Sequence, residues 1–217
     1  MNARVSQAPP ALNPLPPAPA PLPMRTLALA IVGPGRVGGA LLEQLRAAQV
    51  RLRRSHRLDI QLRAVVDSRH MWFDCDDSAL NARTGSAQTW RPAALAELGP
   101  YLRRSPHALI IDCSASEQVV GHYADWLAAG IHVVTPNKLA GSGPLERWHA
   151  LHATAEQAHA KWFYETTVAA GLPVIKTLRE LVDTGDKLVS IEGMLSGTLA
   201  WLFDRFDGQH PFSHLVR

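Results

Sequence analysis

The sequence predicts an α/β protein: a doubly wound, mainly parallel sheet followed by the beginning of an incomplete α+β domain. Three observations carry this. Apolar runs of strand length recur, and each is followed by a stretch with helical spacing. A glycine-rich turn joins the first run to the first helix. After Thr167 the texture changes to one alternating run and two helical stretches, too few to close a second sheet.

Residues 1–24, "MNARVSQAPPALNPLPPAPAPLPM", hold eight of the sixteen prolines. Such a segment has little to bury and few backbone donors, so it is expected to be a linker, disordered or semi-extended. It lacks the apolar core of a signal peptide; a transit peptide, here poor in Arg and Ser, is the alternative. The first folded unit is expected over 25–166. "RTLALAIV" is its first strand, with an unbroken apolar run from Leu27 as in a sheet covered on both faces. "GPGRVGG" follows, then a helix with Leu41, Leu42, Leu45 and Ala48 on one face. The polar stretch Arg51–Arg57 separates this helix from a second strand, Leu62 to Val66. Residues 71–90 are expected to form a loop with a short helix. "PAALAELGPYL" reads as helical, broken at Gly99-Pro100.

"HALIIDCS" is the third strand, Ser114 to Ala129 a helix stopped by Gly130, and "IHVVT" the fourth strand. "PLERWHALHATAEQAHA" is a helix and "KWFYETT" a fifth strand. Right-handed crossovers then bring Gly33–Gly38, Asp67–Arg69, Ser114–Ser116 and Pro136–Lys138 to one sheet edge. The second unit, 167–217, is expected to hold a helix led by Pro173 and ended by Gly185. A strand at "LVSIEGML" and a helix at "SGTLAWLFDRF", capped by Ser196 or Thr198, complete it. The apolar face of that strand is expected to remain an exposed edge.

Composition bounds the function classes. With 217 residues, 47% hydrophobic and 19% charged, the chain suits one large domain or one domain plus part of another. Its net charge of +3, from 22 basic and 19 acidic residues, is scattered, which disfavours a nucleic-acid partner. The run Leu27 to Val32 is too short to span a membrane. Two cysteines, Cys75 and Cys113, form no C-x-x-C or zinc spacing, and a reducing, cytoplasmic setting fits them. His149, His152 and His159 are expected on the surface rather than around a metal.

Gly33-Pro34-Gly35-Arg36-Val37-Gly38 fits G-x-G-x-x-G, after a buried strand and at the opening of a helix. Gly33 would permit the turn, Gly35 the approach of a pyrophosphate, and Gly38 close helix–strand packing. This is the Rossmann-type dinucleotide signature. Asp67 ends the second strand, either as a ribose acceptor favouring NAD or as a turn-forming aspartate. Arg69 or Arg36 would pair with a 2′-phosphate and favour NADP. Ser114, in "DCSAS", is a turn residue or a hydrogen-bonding group for cofactor or substrate. Lys138, in "HVVTPNK", is a solvated loop residue or points into the site.

"GPGRVGGALLEQL", "IIDCSAS", "GIHVVTPNKLA", "FYETTVAAGLPVIKTLRELVDTGD" and "IEGMLSGTLAWLF", in this order, resemble homoserine dehydrogenase over residues 25–217. The resemblance is to the bacterial type fused behind aspartate kinase. It implies NAD(P)-dependent interconversion of L-homoserine and L-aspartate 4-semialdehyde, on the way to threonine, methionine and isoleucine. It places Ser114, where relatives often have Thr, and Lys138 beside the nicotinamide half, with Lys138 catalytic. It implies a structural sodium ion held by Glu165 and the carbonyls of Val168, Ala170 and Leu172, with Ala169 standing where many relatives have glycine. It also implies a homo-oligomer and an aspartate kinase neighbour in intact relatives. Relatives continue into a substrate-binding Glu, a catalytic Asp and a second Lys. The chain ends before them, so weak or absent activity on its own is expected. The alternative is a dinucleotide-binding fragment without catalysis. Aspartate-semialdehyde dehydrogenase is disfavoured, because its nucleophilic cysteine would stand later than Cys113.

Overall fold

Strand β1, Arg25–Val32, is apolar from Leu27 to its end, and each of its faces meets a core. Leu29 and Ile31 pack with Leu62, Val65, Trp72 and Ile111 beneath Leu41, Leu42 and Leu45. Ala28, Ala30 and Val32 point the other way, into a larger cluster with Ile110, Tyr123, Trp126 and Leu151. This period-two division makes the sheet the middle layer of three. The computed structural model describes residues 23–73 and 91–216.

Among the described residues the remaining strands are β2 (Leu58–Val66), β3 (His70–Phe73), β4 (Arg91–Pro92), β5 (Ala108–Asp112), β6 (His132–Val134) and β7 (Trp162–Phe163). They lie in the order β4-β3-β2-β1-β5-β6-β7. β2, β1, β5, β6 and β7 are parallel, while β3 and β4 add antiparallel strands beyond β2. Val32 aligns with both Val66 and Asp112, and Ile111 with Val134, so the parallel strands end along one edge. The chain winds outward from β1 to β2 and then returns to β5 on the other side. That reversal opens a crevice above β1 and β5, where doubly wound sheets bind ligands.

Helix α1 (Arg36–His56) covers one face. The other face carries α2 (Leu98–Leu102), α3 (Glu117–Val120), α4 (Tyr123–Ala128) and α6 (Leu145–Gln157), with α5 (Leu139–Ser142) between β6 and α6. Two further helices follow, α7 (Val174–Asp183) and α8 (Gly197–Arg205).

The structure departs from the sequence expectation in several places. Arg51–His56 is the last part of α1, not a polar break, and β2 starts at Leu58. Arginine is a good helix former, and Arg53, Arg54 and His56 suit the negative end of the helix dipole. Arg53 Nε also reaches Asp59 Oδ1 at 2.6 Å, tying the helix end to β2. Gly99-Pro100 does not break a helix: both residues lie in the first turn of α2, where a missing N–H costs nothing. Ser114–Ala129 holds two short helices rather than one. The fifth strand is only two residues long, because Glu165–Thr167 turns into a 3-10 helix. Residues 71–73 are strand, and the expected short helix falls in 74–90, outside the described residues, as do Cys75 and residues 1–22 of the expected linker.

The largest correction concerns "LVSIEGML". No strand forms over 188–195, and Val189 is 96% exposed. Alternation favours a strand only where another strand offers its hydrogen bonds, and none among the described residues lies beside it. Among the described residues none after Trp162 is buried, although that stretch carries Trp201, Phe203 and Phe206. α7 and α8 are held at their ends instead. Gly185, at φ +98°, follows α7, and Ser196 Oγ accepts from Leu199 N–H at 3.2 Å to cap α8.

His149 and His159 are exposed, but His152 is not a surface histidine. Its ring packs 4.0 Å from that of Trp148, and its Nε2 lies 3.2 Å from the Tyr164 hydroxyl. Burial, then the charges of Arg179 and His149, hold its pKa below the ordinary histidine range. His132 is lowered in the same sense by burial, His107 and Lys161. The unfolded chain therefore takes up protons first on acidification. Stability is full above the ordinary histidine range and falls as pH drops through it. Thermal midpoints taken from about pH 7.5 to about 5 should show this decline, and His152→Phe should flatten part of it. A decline of the same size in that variant would remove His152 from the account.

Candidate functional site

Gly33, at φ +82°, turns the chain off β1. A Cβ there would lie 2.8 Å from Ser114 N and 2.9 Å from the Cys113 carbonyl carbon, so the turn is pressed against the loop after β5. Gly33 N–H donates to Val66 O at 2.8 Å, and Cys113 N–H to Val32 O at 2.8 Å, binding the three strand ends together. A Cβ on Gly38 would come within 2.3 Å of Gly33 O, which fixes how closely α1 meets the turn. Gly35 is different. A Cβ there would meet no protein atom within 4 Å.

Gly35 is also the N-cap of α1, and no side chain caps that end or places an acid in its first turn. The first amides of a 21-residue helix thus face open space with the positive end of the dipole behind them. An anion fits there, and a pyrophosphate passing over Gly35 uses the space left free. Pro34 is half-buried, while Arg36 and Val37 stand exposed at the rim. The geometry fits a dinucleotide.

Asp67 sits one strand away. Its Oδ1 accepts from Arg69 N–H at 2.7 Å and His70 N–H at 2.6 Å, so it makes the turn. Both bonds fall on Oδ1, and the side chain is about one-third exposed (32%). Burial opposes its charge, but these amides and His70 together bring its pKa below the ordinary carboxylate value. Arg69 is exposed beside it.

The other side of the crevice is built around a residue that sequence reasoning passed over. Asp112, last in β5, is fully buried. Its Oδ1 accepts from Ser114 N–H at 2.7 Å, and its Oδ2 from Tyr123 OH at 2.6 Å and Asn137 Nδ2 at 3.1 Å. Its carbonyl accepts from Thr135 Oγ1 at 2.8 Å, which in turn accepts from Asn137 N–H at 2.8 Å. Asn137 Nδ2 also donates to Ser116 O at 3.3 Å, and Asn137 Oδ1 accepts from Leu139 N–H at 3.1 Å. Ser114 Oγ accepts from Ser116 N–H at 3.3 Å. Burial, then the Asp112 charge, push the Tyr123 phenol far above its ordinary pKa, so it remains a donor.

Lys138 follows this network as the N-cap residue of α5, and its side chain is exposed. Among the described residues its ammonium has no ion-pair partner. Arg147 reaches both the Leu139 carbonyl and the Glu117 carboxylate, holding the turn after Lys138 against α3. The structure thus brings the Gly33–Gly38 turn, Ser114 and the Lys138 loop to one crevice, with Asp67 and Arg69 along the edge.

Glu165, Val168, Ala170 and Leu172 form a separate group after β7. Glu165 Oε1 accepts from Ile175 N–H at 2.9 Å and Oε2 from Lys176 N–H at 2.8 Å, capping α7. Ala169 and Ala170 both have left-handed backbones, at φ +53° and +52°. Leu172 O accepts from Val174 N–H, whereas the carbonyls of Val168 and Ala170 have no donor among the described residues.

Cys113 abuts the glycine turn. Burial and then Asp112 push its thiol up to about 11. At neutral pH it should resist thiol-specific alkylation in a Cys75→Ser background, with reactivity rising as pH approaches about 11. Rapid labelling at neutral pH would contradict this. The sign for stability follows. The unfolded thiol ionises first, so this contribution is lost as pH rises above the ordinary cysteine value.

The model of the homoserine dehydrogenase NAD-binding domain matches residues 33–165, from the glycine turn to Glu165. The chain belongs to the homoserine dehydrogenase family. The family's homoserine dehydrogenase model matches residues 173–217 as well. A chloroplastic bifunctional aspartokinase/homoserine dehydrogenase of Daucus carota is 40% identical over 195 residues, covering 88% of this chain and 21% of that protein. The homoserine dehydrogenase of Saccharomyces cerevisiae is 34% identical over 184 residues, covering 82% of this chain and 49% of that protein. The chain therefore spans about a fifth of the length of bifunctional relatives and about half that of the yeast relative. Among solved structures, a Candida auris protein of unknown function superposes with a TM-score of 0.74 at 30% identity, over 88% of this chain and 54% of that one. A Thermoplasma acidophilum homoserine dehydrogenase superposes with a TM-score of 0.62 at 22% identity, over 88% of this chain and 59% of that one, showing the shared fold. Residues 33–165 thus correspond to the NAD-binding domain of this oxidoreductase family. No helix among the described residues is long and apolar enough to cross a membrane.

Proposed function

We propose that the chain takes part in NAD(P)-dependent interconversion of L-homoserine and L-aspartate 4-semialdehyde, in the synthesis of threonine, methionine and isoleucine. The observation that carries this is the open N-terminus of α1 above Gly35, facing the Ser114 and Lys138 loops, inside a homoserine dehydrogenase domain match. The amides after Gly35 hold the pyrophosphate. Asp67 through its second oxygen, or Arg69 and Arg36 through a 2′-phosphate, read the adenosine ribose, which leaves both NAD and NADP open. The dinucleotide, when bound, supplies or accepts the hydride. Ser114 presents its hydroxyl to the nicotinamide half. Lys138 lends positive charge to the substrate oxygen, where negative charge develops as the aldehyde is reduced.

Residues 25–166 form the cofactor unit and 167–217 the start of a substrate and dimerisation unit. A homo-oligomer, an aspartate kinase neighbour and a cytoplasmic setting complete the reading. Bifunctional relatives support the kinase neighbour. A sodium ion held by Glu165 and the carbonyls of Val168, Ala170 and Leu172 is the narrower part of the proposal. The donor-free carbonyls of Val168 and Ala170 support it. Sodium should raise the thermal midpoint over an equal concentration of N-methyl-D-glucamine salt, and Glu165→Ala should abolish the difference. Equal midpoints in the two salts would remove the ion.

The test of the main reading is titration of the chain with NADPH and NADH, followed by a homoserine oxidation assay. Saturable binding with weak or no homoserine oxidation is the expected result for a chain spanning about a fifth to about a half of its relatives' length, and any turnover present should be lost in Lys138→Ala. Failure to bind either dinucleotide, or turnover of another hydroxy acid but not homoserine, would overturn it. The second reading is a dinucleotide-binding chain without catalysis, in which no trace of homoserine oxidation is found. The absence of any buried residue after Trp162 among the described residues favours it.

A further inference from the structure

Asp112 is a buried carboxylate with no cationic partner among the described residues. Its charge is met only by the dipoles of Ser114 N–H, Tyr123 OH and Asn137 Nδ2. Burying such a charge costs stability that an apolar residue of similar size would not. The three donors come from three places: the loop after β5, helix α4, and the loop after β6. Two of those loops carry the residues assigned to the nicotinamide side, Ser114 directly and Lys138 next to Asn137. The Asp112 carbonyl adds a second tie to the β6 loop through Thr135. Hydrogen bonds to a charged acceptor are short and directional, so one carboxylate fixes both loops at once. The glycine turn makes no hydrogen bond to Asp112 and meets the Ser114 loop only by packing of Gly33, while Gly38 packs on the Gly33 carbonyl.

We propose that Asp112 is the positioning residue of the nicotinamide side of the crevice: its carboxylate holds the Ser114 loop and the Asn137–Lys138 loop in register with each other. This rests on the dinucleotide reading above. The two halves of the cofactor should then depend on Asp112 unequally. Asp112→Asn keeps the side-chain shape and an acceptor for Ser114 N–H, but turns an amide donor toward Tyr123 and Asn137. Tyr123→Phe removes one donor and keeps the ring in its core.

The experiment compares two ligands on the full chain: NADPH, and 2′-phospho-ADP-ribose, which lacks the nicotinamide. NADH and ADP-ribose form the parallel pair. Asp112→Asn should raise the Kd for NADPH about tenfold and change that for the truncated ligand less than about twofold. Tyr123→Phe should move NADPH in the same direction by a smaller factor. A loss shared equally by both ligands would make Asp112 a general stability residue and overturn the proposal, as would unchanged binding of NADPH. If Asp112→Asn does not fold, the same comparison on Tyr123→Phe decides. If the unmutated chain binds neither ligand of either pair, the dinucleotide reading itself falls and this inference with it. Binding by the parent with no split in the variants overturns this inference alone.

Discussion

Gly35→Ala is expected to leave the thermal midpoint within about 2 °C of the parent while weakening NADPH or NADH binding tenfold or more. The added Cβ meets no protein atom within 4 Å, and φ there, −72°, lies outside the left-handed region that favours glycine. It would stand in the path of the pyrophosphate. Gly38→Ala should behave in the opposite way. Its Cβ would collide with a backbone oxygen at 2.3 Å, which no rotamer change relieves. We expect a loss of about 3 kcal/mol or more, lowering the midpoint by roughly 6–12 °C for a chain of this size. Scanning fluorimetry and ligand titration on the two variants separate the roles. If Gly35→Ala destabilises as Gly38→Ala does, the open space above Gly35 is not a ligand site.

Trp126→Ala should cost about 3–5 kcal/mol, read from chemical denaturation. The ring is 2% exposed and sits in the larger core, its centroid 5.9 Å from that of Tyr123 and 5.8 Å from that of His122. A Cβ on Gly99 would already touch it at 3.4 Å, so α2 is seated directly on this ring. Its removal also loosens the seat of Tyr123, whose hydroxyl holds Asp112. A loss below about 1 kcal/mol would mean that the surrounding side chains collapse freely into the space.

The glycine turn and the layer order were legible in the sequence because both depend on near neighbours. "LALAIV" followed by "GPGRVGG" states a strand, a turn and a helix within a few residues. The loops bearing Ser114 and Lys138 were placed on the correct edge by topology alone. Asp112 was not legible. Beside Cys113 and Ser114 it reads as a turn residue, and two of its three side-chain donors come from residues 11 and 25 positions away. The end of α1 was misread for another reason. Arg51–His56 looks like a break when judged by polarity, whereas its stability comes from propensity, the dipole and Asp59. At 188–195 the alternation was real, but a strand is a property of a pair of segments, and one segment shows only half of it. His152 shares a helix face with Trp148, four residues earlier, but the rings that complete its cover, Trp162 and Tyr164, come from β7 and the turn after it.

The lack of buried residues after Trp162 among the described residues has a consequence in time as well as in space. Amide protons within the parallel strands can exchange with solvent only through large openings of the domain. Those of α7 and α8 are guarded by little more than their own helical hydrogen bonds, the Glu165 cap and the Ser196 cap. Deuterium uptake should therefore divide the chain near Tyr164 into a slow-exchanging part and a fast one, each with its own opening free energy.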